Sequence, residues 1–216
     1  MPLGLLRVRS VAAANVAMFL SGSAMFCMWF FMTLYAQNVL GYSPLEAGLA
    51  LVPSSLAVIL GSKTAPRLMR AVGARMAAVL GTCVAVAGFA WQSTMSVDAG
   101  YVVTVMCPGI LMMLGAGLAT TPLAALADVG GGRPGRPGWV SGLVNTSRTM
   151  GGSLGLAVMS TVAASRTGDR ATAEALTDGY ALVFRTGTGV LIGGVLLMLV
   201  WLPRRVVAAP SKKSSN

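Results

Sequence analysis

The sequence predicts an all-α membrane protein: six transmembrane helices with the N- and C-termini in the cytoplasm. Three observations predict it. The composition is apolar, six long apolar stretches recur, and the basic residues collect on one side of them. Of 216 residues, 55% are hydrophobic and 10% charged, and the mean hydropathy is +0.75. Soluble domains run nearer about 25% charged, and a soluble fold of this length has too little interior to hide so much apolar surface. The composition excludes an ordinary cytosolic enzyme, a disordered chain and a nucleic-acid-binding module. The expected solvent is the lipid bilayer.

A helix needs about 20 apolar residues to cross the hydrocarbon core. The stretches run over about 11–36, 44–61, 76–94, 101–127, 139–164 and 180–202. The first follows Arg7 and Arg9, as the apolar region of a secretory signal would, but it is too long for one and is read as a retained span. Gly41-Tyr42-Ser43-Pro44 is a turn that sets a proline at the start of the second helix, where its missing N–H costs nothing. Residues 63–75 form a basic loop and residues 96–100 a short polar turn. The stretch VGGGRPGRPG (129–138) is too rich in Gly and Pro to be helical. A polar segment over 165–179 precedes the last span. Residues 1–10 are a cytoplasmic N-terminal segment, and 203–216 a basic cytoplasmic tail expected to be disordered.

The charges then fix the orientation. Arg7, Arg9, Lys63, Arg67, Arg70, Arg75, Arg133, Arg136, Arg204, Arg205, Lys212 and Lys213 fall on one side, and only Arg166 and Arg170 on the other. Basic loops stay in the cytoplasm. The acids Glu46, Asp98, Asp169, Glu174 and Asp178 fall opposite. Topology therefore accounts for most of the net charge of +10 without any nucleic acid.

The inventory removes hydrolytic and metal chemistry. There is no histidine, so no Ser-His pair or His-metal site can form. No phosphate-binding GxxxxGK[ST] loop is present. Cys27, Cys83 and Cys107 lie in apolar stretches at no metal or redox spacing and read as small core residues. No catalytic residue, cofactor or metal is expected.

Arg148 is the most informative residue, a charge inside a span. It faces protein or a cavity, or it snorkels to the interface. Asn145 lies three residues earlier on roughly the same face. On the first span Trp29 sits deep enough to stack on a lipophilic substrate or simply to pack, and Gln37 lies near the outer end beside Tyr35 and Asn38. Gly151, Gly152 and Gly155 (GGSLG) make the fifth span thin on one side. Small residues four apart let helices approach closely in lipid, for packing alone or for sliding during transport. No Asp or Glu lies within a span.

Three motifs together resemble one family. Residues 35–53 (YAQNVLGYSPLEAGLALVP), 65–75 (APRLMRAVGAR) and 138–157 (GWVSGLVNTSRTMGGSLGLA) are similar, in order, to segments in the C-terminal half of the fourteen-span drug–proton antiporters of the major facilitator superfamily (MFS). The resemblance implies one MFS six-helix bundle in the cell (inner) membrane. It also implies alternating-access antiport of a small lipophilic substrate with protons as coupling ion. The partner half would be an N-terminal half-transporter, or a second copy in a homodimer. In that architecture spans one, two, four and five face the cavity, which makes Trp29, Gln37, Asn145 and Arg148 substrate-cavity candidates. Arg67, Arg70, Gly73 and Arg75 correspond to a degenerate basic loop motif, in which Arg70-Ala71 replaces the usual Asp-Arg pair. The other expectation, from a different class, is a non-transporting scaffold or regulatory partner, or a truncated gene product.

Overall fold

The computed structural model describes residues 9–97, 99–130, 137–168 and 172–201. Among these residues the chain is all helical, with no strand. The elements are α1 (Arg9–Asn38), α2 (Pro44–Ala50), α3 (Val52–Val72), α4 (Ala74–Gln92), a π-helical turn over Val102–Met106 leading into α5 (Cys107–Gly130), α6 (Pro137–Thr167) and α7 (Ala173–Trp201). Five stretches are long and apolar enough to cross a membrane: Val11–Asn38, Pro44–Val72, Ala74–Gln92, Val102–Ala127 and Ala173–Trp201. At 31 residues α6 is long enough too, but its Ser, Thr, Asn and Arg residues leave it less apolar. The protein is thus a multi-pass membrane protein, with α6 the exception in composition.

Local chemistry explains the breaks. Gly41 has φ +73°, and Ser43 and Glu46 cap α2 reciprocally: the Glu46 N–H donates to Ser43 Oγ at 3.3 Å and the Ser43 N–H to Glu46 Oε2 at 2.8 Å. Between α2 and α3, Pro53 has no N–H to give the carbonyl one turn earlier, and the helix interrupts at Leu51, whose own N–H turns to Gly48 at 3.2 Å. The π-helical turn ends where Pro108 removes another N–H at the start of α5.

Two loop expectations are corrected. Residues 63–75 are not a loop: α3 continues through Val72, and only Gly73, at φ 85° and ψ 158°, separates it from α4. Lys63, Arg67 and Arg70 are exposed on the last turns of a helix, where long basic side chains reach polar surroundings without breaking it. Likewise most of 165–179 is helical, because α6 runs to Thr167 and α7 starts at Ala173. The N-terminal segment up to residue 8, residues 131–136 of the Gly/Pro stretch and the tail 203–216 lie outside the described residues.

Pairing is set by small residues. Helices α1 and α6 run parallel, since Ser147 meets Asn15, Gly151 meets Phe19 and Gly155 meets Ser23. Helices α4 and α5 run antiparallel, with Gly81 against Leu118 and Ala119, Ala85 against Gly115, and Gly88 against Met112. On the other side of α5, Gly117 meets the Val58 and Gly61–Ser62 backbone of α3. Helix α7 closes the bundle, packing Phe184 on Phe89 of α4 (ring centroids 5.5 Å apart) and Tyr180 on Phe31 of α1 (5.6 Å). Thus α1, α4, α5 and α7 hold the core, while α3 and α6 lie on opposite flanks.

Candidate functional site

A cavity of about 180 Å³ opens between α1, α5 and α6, lined by Met18, Thr120, Ala124, Ser141, Val144, Asn145 and Arg148. It lies beside the smaller of two apolar clusters, which joins Ala13, Ala14 and Met18 of α1 to Leu123, Leu126 and Ala127 of α5 and Met198 of α7. That is the end of the bundle at which the chain enters α1.

Helix α6 brings the two polar residues of this cavity together by its own periodicity. Arg148 Nη2 donates to Asn145 Oδ1 at 3.4 Å, one turn away. Arg148 is half-buried and stands 11 residues into α6, about 16 Å along its axis. No carboxylate pairs with Arg148 among the described residues, where the one ion pair is exposed, between Arg166 and Asp178 at 3.8 Å.

The α1–α6 seam holds this turn in place. The Arg148 backbone sits on Gly22, where any side chain would collide with the Arg148 carbonyl. Asn15, 5% exposed, donates from Nδ2 to the Val11 carbonyl (2.8 Å) and accepts from Ser147 Oγ (2.9 Å). Ser23 Oγ donates to the Gly151 carbonyl at 2.7 Å. Sequence reasoning missed Asn15, Gly22 and Ser23. A lone Asn in the apolar run AAANVAMF was the available signal, but its partner lies 132 residues away.

The other sequence candidates are placed as follows. Gly151 and Gly155 face Phe19 and Ser23 of α1, and Gly152 faces the Phe26 ring, so all three are close-approach positions. Trp29 is half-buried against the larger core cluster, seven residues beyond Gly22 and about 10 Å further along α1. Gln37, half-buried, lies another eight residues on, about 12 Å. The structure therefore joins Asn145 with Arg148 and leaves Trp29 and Gln37 apart from them. Of the basic loop residues, Arg67 and Arg70 are exposed, while Arg75 is half-buried and donates from Nη2 to the Leu199 carbonyl near the end of α7. Arg75 thus satisfies an end-of-helix carbonyl rather than lining the cavity.

The fold is that of a helical membrane bundle with a small, partly polar cavity between α1, α5 and α6. No family model matches the chain. It is 38% identical over 93% of its length to the cephamycin export protein CmcT of Amycolatopsis lactamdurans, covering 40% of that protein. It is 32% identical over 78% of its length to the tetracenomycin C resistance and export protein of Streptomyces glaucescens, covering 31% of it. It is 27% identical over 99% of its length to the uncharacterised MFS-type transporter EfpA of Mycobacterium tuberculosis, covering 43% of it. The chain spans about 40% of the length of the curated relatives it matches. These relatives are export, resistance and transport proteins, not enzymes.

Proposed function

We propose that the chain is one six-helix bundle of an MFS exporter of the fourteen-span drug–proton antiporter branch, sitting in the cell membrane with both ends cytoplasmic. In this reading α6 also crosses the membrane, as the fifth of six spans, and α1, α2–α3, α5 and α6 border the transport cavity. Asn145 and Arg148 form its polar floor, Trp29 offers an aromatic wall further up, and Gln37 guards the outer end. Gly151, Gly152 and Gly155 bring α6 close against α1, so that the pair rocks as one unit when the cavity changes side, and the Gly73 corner with Arg67, Arg70 and Arg75 fixes the cytoplasmic ends of α3, α4 and α7.

One observation carries the reading: similarity runs through nearly the whole chain to about 40% of exporter length. One bundle has nothing to rock against, so a second bundle completes the transporter. Its place is the exposed side of α6, where Asn145, Thr149 and Ser153 at four-residue spacing, and Thr161 two turns further on, lie along one face that suits protein or water better than lipid tails. The second bundle would also supply the membrane carboxylate for proton coupling, since Glu46, Glu174 and Asp178 stand at the starts of α2 and α7 rather than deep in a span.

The test is co-expression with an N-terminal six-span half in a drug-hypersensitive bacterium, scored for cellular accumulation of a cephamycin and of tetracenomycin C. Accumulation should fall only when both halves are present, and should rise again when a protonophore collapses the proton gradient. Unchanged accumulation with both halves correctly inserted would favour the non-transporting scaffold.

A further inference from the structure

The polar groups along α6 and beside its cavity are unequal in what they can give. Thr149, Ser153 and Thr161 each donate their hydroxyl hydrogen to a carbonyl one turn back on α6, at 3.0–3.2 Å. Thr120 does the same on α5, toward Ala116 at 2.7 Å. Their hydrogens are spent, and such back-bonded hydroxyls sit in an apolar setting at little cost. Asn145 and Arg148 are different. The guanidinium is donor-only, so the amide must turn Oδ1 toward it, as observed, and this leaves the Asn145 Nδ2 hydrogens directed elsewhere. Among the described residues nothing accepts from Nδ2, or from the other N–H groups of Arg148. The cavity thus presents one full positive charge and a set of uncommitted donors, against walls of Met18, Ala124 and Val144.

The geometry points to an organic anion as the ligand of this cavity: a small amphiphile whose carboxylate docks on Arg148 and Asn145 and whose apolar body lies toward Met18 and Val144. This deepens the exporter reading by naming its substrate class, and it rests on that reading only for the claim that the ligand is moved. A cation would meet Arg148 with no acid among the residues lining the cavity to offset it, and a neutral drug would leave the guanidinium without a charged partner. A carboxylate satisfies two guanidinium N–H groups at once, and the amide N–H₂ adds a third bond. The lone arginine would then not need a carboxylate from the protein, because the substrate brings one. A cavity of about 180 Å³ holds a one- or two-ring head and leaves a larger body projecting past the open side of α6.

The experiment measures binding and needs no transport, so its failure is separate from failure of the exporter reading. The full chain is placed in nanodiscs of phosphatidylcholine alone. Binding of radiolabelled 2-naphthoate is measured by equilibrium dialysis, beside its methyl ester and 2-naphthylmethylammonium. The acid should bind about tenfold or more tightly than the ester, and the ammonium least, as expected for a hydrogen-bonded charge partner. Arg148→Ala should lose about tenfold or more, Arg148→Lys should recover part of it, and Asn145→Leu should weaken it less. Circular dichroism melts of each variant check that the fold is intact. Equal affinity for acid and ester, or preference for the ammonium, overturns the proposal. So does unchanged binding by folded Arg148→Ala. Retention of phosphatidylglycerol in native mass spectra, dependent on Arg148 and without 2-naphthoate binding, would make the site a lipid-headgroup site and also overturn it.

Discussion

The α4–α5 and α1–α6 seams are both built on glycine, yet they differ in what else they contain. Between α4 and α5, Gly81, Gly88 and Gly115 bring the backbones together, and the surroundings are Ala85, Met112 and Ala119. No side-chain hydrogen bond crosses that seam among the described residues. Between α1 and α6, Gly22, Gly151 and Gly155 do the same, but Ser147–Asn15 and Ser23–Gly151 hydrogen bonds are threaded through it. In lipid the hydrophobic effect does not separate the two cases, because tails are as apolar as Leu, and close packing carries both. What differs is register. An apolar seam tolerates a sliding step, whereas the hydrogen bonds fix α6 at one height on α1. That height determines where Arg148 stands.

The largest effect should come from filling the seams. Gly115→Leu would drive a side chain into the Ala85 and Gly81 backbone, and overpacking of this kind costs about 1–3 kcal/mol or more. Because α5 is wedged between α4 and α3, loss of monodisperse protein in detergent is expected, by size-exclusion chromatography. Gly151→Leu meets the Phe19 backbone in the same way, but α6 is on the flank, so the expected result is a folded protein with a lower melting temperature. If Gly151→Leu were the more damaging, the ranking of the seams would be reversed.

Next in size is Arg148→Ala. In a complete transporter it should cut export about tenfold or more while leaving the melting temperature near wild type, since the side chain has one long hydrogen bond to lose. Wild-type export would return Arg148 to a snorkelling role.

Smaller still is Ser23→Ala, which deletes the hydrogen bond to Gly151. Interhelical bonds in membranes average about 0.6 kcal/mol, so a modest drop is expected in a denaturant unfolding series. Cysteine cross-linking between α1 and α6 should then show pairs one turn out of register. The smallest effect belongs to Gly142→Ala on α6, where nothing lies within 4 Å of an added methyl. It should be neutral or stabilise by up to about 1 kcal/mol through helix propensity.

The sequence showed the helical character of the chain, the turn at Gly41–Pro44 and the Asn145–Arg148 pair, because each is written within a few neighbouring residues. Residues 63–75 misled for a physical reason. Basic composition looks like a loop, but Lys63, Arg67 and Arg70 recur at helical spacing and leave Ala65 buried between them. The break at Leu51 depends on the missing N–H of Pro53, a signal present in the sequence but obscured by the apolar run around it. Asn15, Gly22 and Ser23 could not be paired with α6 in advance, since their contacts are long-range and small polar residues have many local uses.

The composition of α6 bears on how the protein is made. A nascent segment carrying Arg148 and this many hydroxyls gains little by leaving the translocon for lipid on its own, because an arginine near mid-helix costs about 2.5–3.5 kcal/mol on the insertion scale. Helix α1 emerges from the ribosome long before it, already inserted and presenting Gly22 and Asn15. In the proposed six-span bundle, entry of α6 into the bilayer is then a docking event onto an earlier helix, followed closely by the more apolar α7. A defect in α1 would therefore appear in the cell as failed insertion of a segment more than a hundred residues downstream, and as degradation of the chain by membrane quality control.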